Sequence, residues 1–144
     1  PVVTRHIPDP DLPPTSNWGI VPVLMAKVLL IDDEVTVLRS IGTVLRSEGH
    51  EIIAISDSGK AVDVVKAGNY DVIITDIRMS PVDGMEILRL ASTLQPRKPT
   101  IVISAYNSAD TIKKSFDLGC VAYVTKPFKV QEVQDAVAKA LSKK

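Results

Sequence analysis

The stretch Asp71-Val72-Ile73-Ile74-Thr75-Asp76-Ile77-Arg78-Met79-Ser80-Pro81-Val82-Asp83-Gly84 decides how the rest of the chain is read. Val72, Ile73 and Ile74 form a short unbroken apolar run, the pattern of a strand buried on both faces of a parallel sheet. Asp76 follows at the carboxyl end of that run. In open α/β sheets ligands bind at that end, in the crevice between the loops. A carboxylate there can do chemistry without being entombed. An isolated aspartate after a strand is ordinarily a turn former, so its meaning depends on how the neighbouring strands end.

Outward from this stretch, short apolar runs alternate with longer amphipathic ones. Val28 to Ile31 precedes a helix pattern with Val37, Ile41, Val44 and Leu45 on one face, stopped by Gly49. Ile52, Ile53 and Ile55 form a second strand, followed by a helix with Ala61, Val64 and Val65 inward and Gly68 at its end. After the third strand, Met85 to Leu94 is a helix with Ile87, Leu88 and Ala91 facing the sheet. Pro96 and Pro99 bracket the link to Ile101-Val102-Ile103. A fourth helix, from about Ala109 to Leu118, uses Ile112 and Phe116 as its apolar pair. Val121 to Val124 is the fifth strand, and Val133, Val137, Ala140 and Leu141 mark the fifth helix. Such strand–helix repeats mean a parallel sheet covered on both faces by right-handed crossovers. The expected fold is α/β and doubly wound, with five strands in the flavodoxin-like order 2-1-3-4-5 and five helices.

Residues 1–24 are different. Pro1, Pro8, Pro10, Pro13, Pro14 and Pro22 interrupt any helix or central strand, and no periodicity survives between them. Met25-Ala26-Lys27 then opens the regular pattern and has the form of a translation start. The division expected is an N-terminal extension over 1–24, an artificial addition or upstream sequence, and one domain over 25–144. Trp18, Ile20, Val21, Val23 and Leu24 are available to anchor the extension.

Composition narrows the class. Seventeen basic and seventeen acidic residues cancel, so no global field draws the chain to nucleic acid or anionic lipid. The single cysteine, Cys120, forms no internal disulfide and suits a reducing cytoplasm. No apolar run reaches membrane-spanning length, and no signal-peptide pattern opens the chain. No basic stripe or extra helix-turn-helix supports direct nucleic-acid binding.

In the 2-1-3-4-5 order the first and third strands are neighbours, so Asp32 and Asp33 converge with Asp76 on one crevice. Like charges about 4 Å apart repel by roughly 4 kcal/mol at an effective dielectric near 20. Such a cluster calls for a cation, and an oxygen-only set with room for water suits Mg²⁺. One of Asp32 and Asp33 is also expected to cap the first helix, a position Glu34 fits as well. The fourth strand ends in Ser104-Ala105 and the fifth in Thr125-Lys126-Pro127-Phe128. Acids at two strand ends, a hydroxyl at the next and an ammonium at the last describe a receptacle for a phosphoryl group on Asp76.

With those residues in place, residues 25–144 resemble the receiver domain of bacterial two-component response regulators. The resemblance rests on Leu30-Ile31-Asp32-Asp33-Glu34, Asp76-Ile77-Arg78-Met79 with Asp83-Gly84, Ser104-Ala105, and Tyr123-Val124-Thr125-Lys126-Pro127-Phe128. It implies that Asp76 takes a phosphoryl group from a phosphohistidine of a sensor histidine kinase or histidine phosphotransfer protein. It implies that Asp33, Asp76 and the carbonyl of Arg78 bind Mg²⁺ directly, with Asp32 acting through water. Ser104 and Lys126 would hold the phosphoryl oxygens, and the Lys126–Pro127 bond would be cis. Where the family commonly carries Pro-Gly after the methionine, Met79 is followed by Ser80-Pro81; the spacing to Asp83-Gly84 is kept, so the loop is expected to close over the site.

The same resemblance implies a switch. Ser104 would move toward the phosphoryl group and Tyr123 turn inward, although plain packing is an alternative role for Tyr123. The fourth helix, fifth strand and fifth helix would form the readout face, suited to partners or a homodimer; Lys113, Lys114, Asp117, Lys126 and Lys129 give it charge of both signs, as a merely solvated face would have. Arg78 and Tyr106, two residues beyond Asp76 and Ser104, would tune the phosphoryl lifetime. The expected function is a cytoplasmic phosphoacceptor, not an enzyme. The alternative is an aspartate-nucleophile phosphatase, but its second acid, two residues after the nucleophile, is replaced here by Arg78. A nucleotide-binding module is disfavoured because the loop after the first strand carries no glycine.

Overall fold

The computed structural model describes residues 2–6 and 20–142, with side chains from residue 25 onward. Its strands are β1 (Val2–His6), β2 (Ile20–Leu24), β3 (Lys27–Ile31), β4 (Glu51–Ile55), β5 (Val72–Thr75), β6 (Thr100–Ser104) and β7 (Ala122–Thr125). Its helices are α1 (Val35–Ser47), α2 (Ser58–Ala67), α3 (Gly84–Ser92), α4 (Ala109–Asp117) and α5 (Val130–Ser142).

β3 and β5 are aliphatic runs and lie at the centre of a five-stranded parallel sheet, in the order β4-β3-β5-β6-β7. Counted within that sheet, this is the expected order 2-1-3-4-5. The alternation of side chains along a strand splits the core between two faces. Val28, Leu30 and Ile74 point to one side, where Leu38, Ile41 and Leu45 of α1 and Val133, Val137 and Leu141 of α5 cover them. Leu29, Ile31 and Ile73 point to the other, against Ala61 and Val65 of α2 and Ile87 and Ala91 of α3. Burying a side chain of this size is worth about 1.5–3 kcal/mol, so the aliphatic strands hold the strand ends in register.

Asp57, Asp83 and Ser108 cap α2, α3 and α4, each with a side-chain oxygen accepting a backbone N–H of the first turn. The fourth helix departs from expectation. Ile112 is half-buried, Ser115 is buried, and Phe116 is 45% exposed. The stripe that meets the sheet runs through the i, i+3 pair Ile112 and Ser115, so the anticipated pairing of Ile112 with Phe116 is rotated by one residue. Ser115 is accommodated because its hydroxyl donates to the Thr111 carbonyl at 2.9 Å.

The N-terminal extension also differs from the reading of a segment without pattern. β1 and β2 pair antiparallel, with Thr4 opposite Pro22. Proline is tolerated there because both strands of a two-stranded sheet are edges. The anchoring suggested for Trp18 lies outside the described residues. Among the described residues three X-Pro bonds are cis: the expected Lys126–Pro127, together with Ser80–Pro81 and Gln95–Pro96, which nothing in the sequence singles out.

Candidate functional site

β5 delivers Asp76, 6% exposed, beside the end of β3, which delivers Asp32, 2% exposed. Backbone bonds clamp both: Asp76 N–H donates to Ile31 at 3.1 Å, and Asp32 N–H to Ile55 at 3.2 Å. Asp33 is exposed at the same rim. Oxygens of Asp32, Asp33 and Asp76 all lie within 4.8 Å of one another.

Lys126 reaches into this cluster from the end of β7. Its backbone N–H donates to the Ser104 carbonyl at 2.8 Å, which continues the β6–β7 ladder by one residue. Its Nζ donates to Asp32 Oδ2 at 2.9 Å, Glu34 Oε1 at 2.9 Å and Asp76 Oδ2 at 3.0 Å. The remaining oxygens of the buried pair are also used: Asp32 Oδ1 accepts Glu34 N–H at 2.9 Å, and Asp76 Oδ1 accepts Ile77 N–H at 2.7 Å. Burial pushes the Asp32 carboxyl above its ordinary value, against the Glu34 N–H bond and the Lys126 contact. For Lys126 burial opposes the charge, but its bonds to Asp32, Glu34 and Asp76 prevail and hold its pKa well above the lysine range.

The expected capping of α1 by Asp32 or Asp33 is not found. Glu34 occupies the N-cap position with no side-chain cap bond. Asp32 instead turns its carboxylate back onto the Glu34 N–H, two residues on, and so commits it to the pocket before the helix begins. The sequence marks Glu34 as a cap candidate within the Asp32-Asp33-Glu34 run; its contact with Lys126, 92 residues away, has no local signal.

Gly84, named in the sequence only as part of the Asp83-Gly84 motif, has a packing role that its spacing does not reveal. A Cβ there would sit 1.9 Å from the Asp76 carbonyl oxygen. The bare backbone lets the start of α3 press on the loop, where Gly84 N–H donates to the Ile77 carbonyl at 2.7 Å.

Ser104, fully buried, ends β6 at the same edge, and its Oγ accepts Tyr106 N–H at 3.1 Å. Tyr123 is half-buried and its hydroxyl donates to the Tyr106 carbonyl. Burial raises the Tyr123 phenol pKa, with hydrogen bonding to Ser104 acting the other way. The Arg78 guanidinium stacks 3.7 Å from the centroid of the Tyr106 ring. Asp32, Asp33, Asp76 and Lys126 are thus gathered in one pocket, with Ser104, Tyr106, Tyr123 and Arg78 linked along its β6–β7 side.

Four carboxylates, those of Asp32, Asp33, Glu34 and Asp76, face one ammonium. The excess negative charge and the all-oxygen donor set suit a hard divalent cation that keeps part of its water. Cys120, by contrast, is buried, and burial pushes its thiol up to about 11, so it serves as a packing residue. A cavity of about 630 Å³ opens near Met25, Lys27, Tyr70, Asp71 and Lys98, at the other end of the strands, and none of the four carboxylates lines it.

Fold and site together define a doubly wound α/β domain with a cation-ready acidic pocket at its topological switch point. The chain belongs to the response regulator receiver domain family, whose profile matches residues 28–138. It is 30% identical over 115 residues to sporulation initiation phosphotransferase F of Bacillus subtilis, covering 80% of this chain and 93% of that one. To the response regulator protein FleR of Pseudomonas aeruginosa it is 29% identical over 116 residues, 81% of this chain but only 24% of FleR. Among solved structures, the CheX–CheY–BeF3–Mg complex of Borrelia burgdorferi superposes with a TM-score of 0.75 at 27% identity, over 80% of this chain and 88% of that one. The protein is therefore a receiver domain of a response regulator, a phosphoacceptor switch of two-component signalling. Receiver domains bind Mg²⁺ at an acidic aspartate cluster of the kind formed by Asp32, Asp33 and Asp76. Among the described residues no helix is long and apolar enough to cross a membrane.

Proposed function

We propose that Asp76 is the phosphoacceptor and that its donor is a phosphohistidine of a sensor histidine kinase or histidine phosphotransfer protein. An Asp76 carboxylate oxygen attacks phosphorus, the phosphorus–nitrogen bond breaks, and the imidazole leaves with the electron pair. The observation that carries this reading is the approach of Lys126 Nζ to Asp76 Oδ2 at 3.0 Å, in a pocket that also holds Asp32 and Asp33. The name of the Bacillus relative, a phosphotransferase, and the BeF3 and Mg named for the Borrelia CheY complex support it.

Asp33, Asp76 and the Arg78 carbonyl would hold Mg²⁺ directly, with Asp32 through water. When bound, the ion neutralises charge that develops on the transferring phosphoryl oxygens. The remaining work falls to side chains. Lys126 and Ser104 grip the phosphoryl oxygens, the ammonium with charge-assisted hydrogen bonds and the serine with its hydroxyl. Arg78 and Tyr106, stacked on each other, tune access of water to the acyl phosphate and hence its lifetime.

Ser104 and Tyr123 make the switch, because both bond to Tyr106: one to its N–H and the other to its carbonyl. Drawing Ser104 toward a phosphoryl group disturbs that segment and, with it, the face formed by α4, β7 and α5. Tyr106 and Phe116 are 41% and 45% exposed there, a surface for a partner or a second copy of the chain. The domain over 25–144 acts in the cytoplasm and touches neither membrane nor nucleic acid itself, with residues 1–24 extraneous to the switch.

Transfer from a phosphorylated histidine kinase tests the reading. The expected result is label moving to the chain only when Mg²⁺ is present. Turnover of phosphomonoesters with sustained phosphate release would instead favour a phosphatase.

A further inference from the structure

An ammonium has three donors, and those of Lys126 are all taken, by Asp32, Glu34 and Asp76. To meet an incoming phosphoryl oxygen while Asp76 is still an anionic carboxylate, Lys126 must let one partner go. The three are unequal. The side chains of Asp32 and Asp76 are 3% and 7% exposed, and each also holds a backbone N–H with its second oxygen. Glu34 is 57% exposed and makes no cap bond, although it stands at the N-cap of α1. That position normally employs a short Ser, Thr, Asp or Asn side chain on the helix's own N–H groups. Releasing a buried carboxylate is costly, whereas an exposed one returns to water with little loss.

We propose that Glu34 is the exchangeable partner of Lys126, a positioning residue that occupies the donor a phosphoryl oxygen on Asp76 would use. This rests on the assignment of Asp76 and Lys126 given above. Glu34 thereby favours the unphosphorylated state by direct competition for one N–H group, and its charge sets how readily Lys126 is handed over.

Two substitutions separate this competition from a diffuse effect of charge. Glu34→Gln keeps the length and removes the charge. Glu34→Asp keeps the charge but shortens the side chain by one methylene, about 1.5 Å, which takes the carboxylate out of contact with Lys126. The full chain, with Mg²⁺, is titrated with beryllofluoride and followed by fluorine NMR. Both variants are expected to bind ~3- to 5-fold more tightly than the wild type, the range of an exposed ion pair, and to take label faster from a small phosphodonor. Equal affinities in all three proteins, or weaker binding by Glu34→Gln, would overturn the proposal. So would wild-type behaviour of Glu34→Asp beside a tighter Glu34→Gln, which is the signature of charge without contact. A wild type that fails to bind beryllofluoride would remove the Asp76 assignment itself, and the role of Glu34 with it.

Discussion

Lys126 Nζ lies 3.0 Å from Asp76 Oδ2, although fifty residues separate them in the chain. The Lys126 side chain is 11% exposed, and its partners Asp32 and Asp76 are more buried still. Removing one member of such a group strands buried charge, at a cost of about 3–5 kcal/mol. Lys126→Met is therefore expected to lose about 3 kcal/mol of stability in chelator, measured by urea unfolding. Millimolar Mg²⁺ should restore more stability to the variant than it adds to the wild type, since a ligand of the folded state stabilises by mass action. Equal Mg²⁺ responses would contradict this picture of the pocket.

Gly84 supplies a test of how the loop is held. A Cβ at this position meets the Asp76 carbonyl at 1.9 Å, and the atom it meets is backbone. Gly84→Ala must shift either α3 or the loop, so its cost should exceed about 2 kcal/mol, at the upper end of ordinary overpacking. Denaturation midpoints compared with those of Gly68→Ala give the control. At Gly68 nothing lies within 4 Å of the added carbon, and only the positive φ of 73° is penalised.

What could be read in advance follows from how local each signal is. The strands announced themselves because Val72–Ile74 and Ile101–Ile103 are buried on both faces and carry nothing polar. Strand order then brought Asp32, Asp33 and Asp76 together, since ligands in this topology gather at the switch point. Features that depend on tertiary contact stayed hidden. The choice of Ser115 over Phe116 for the inward face of α4 depends on how that helix sits on the sheet. Glu34 carries no mark of a partner 92 residues away, and Gly84 none of the carbonyl pressed against it. The β1–β2 pairing has no mark in the sequence either: the prolines exclude a helix or a central strand but leave an edge strand open, and no periodicity announces one.

His50 should make stability depend on pH. It is 8% exposed, and its Nδ1 accepts Ala26 N–H at 3.0 Å, tying the turn after α1 to the start of β3. Burial holds its pKa below the ordinary value, with Glu48 pulling in the opposite direction. The unfolded chain then binds the proton more readily than the folded one. The stabilising contribution is present in full above pH of about 6.5 and declines as pH falls from there toward the folded value, with a slope of at most about 1.4 kcal/mol per pH unit. His50→Gln should flatten the pH profile of unfolding in that window. Parallel profiles would assign the slope to other groups.

The stack of Arg78 on Tyr106 bears on the lifetime of the phosphorylated form. A cation–π contact at an exposed site is worth about 0.5–1 kcal/mol. If the pair restricts water at Asp76, Arg78→Ala should shorten the lifetime by roughly 2- to 5-fold, the same energy expressed as a rate. Decay of labelled protein after removal of the phosphodonor reads this directly. An unchanged or longer lifetime would contradict the role given to the stack.

The central claim is that one carboxylate, Asp76, carries the phosphoryl group. Its most direct test is incubation with a labelled small-molecule phosphodonor and Mg²⁺, followed by mapping of the acyl phosphate. The account predicts label on the wild type, lost on chelation and absent from a folded Asp76→Asn variant. Label retained by Asp76→Asn at the wild-type level would place the acceptor elsewhere and contradict it.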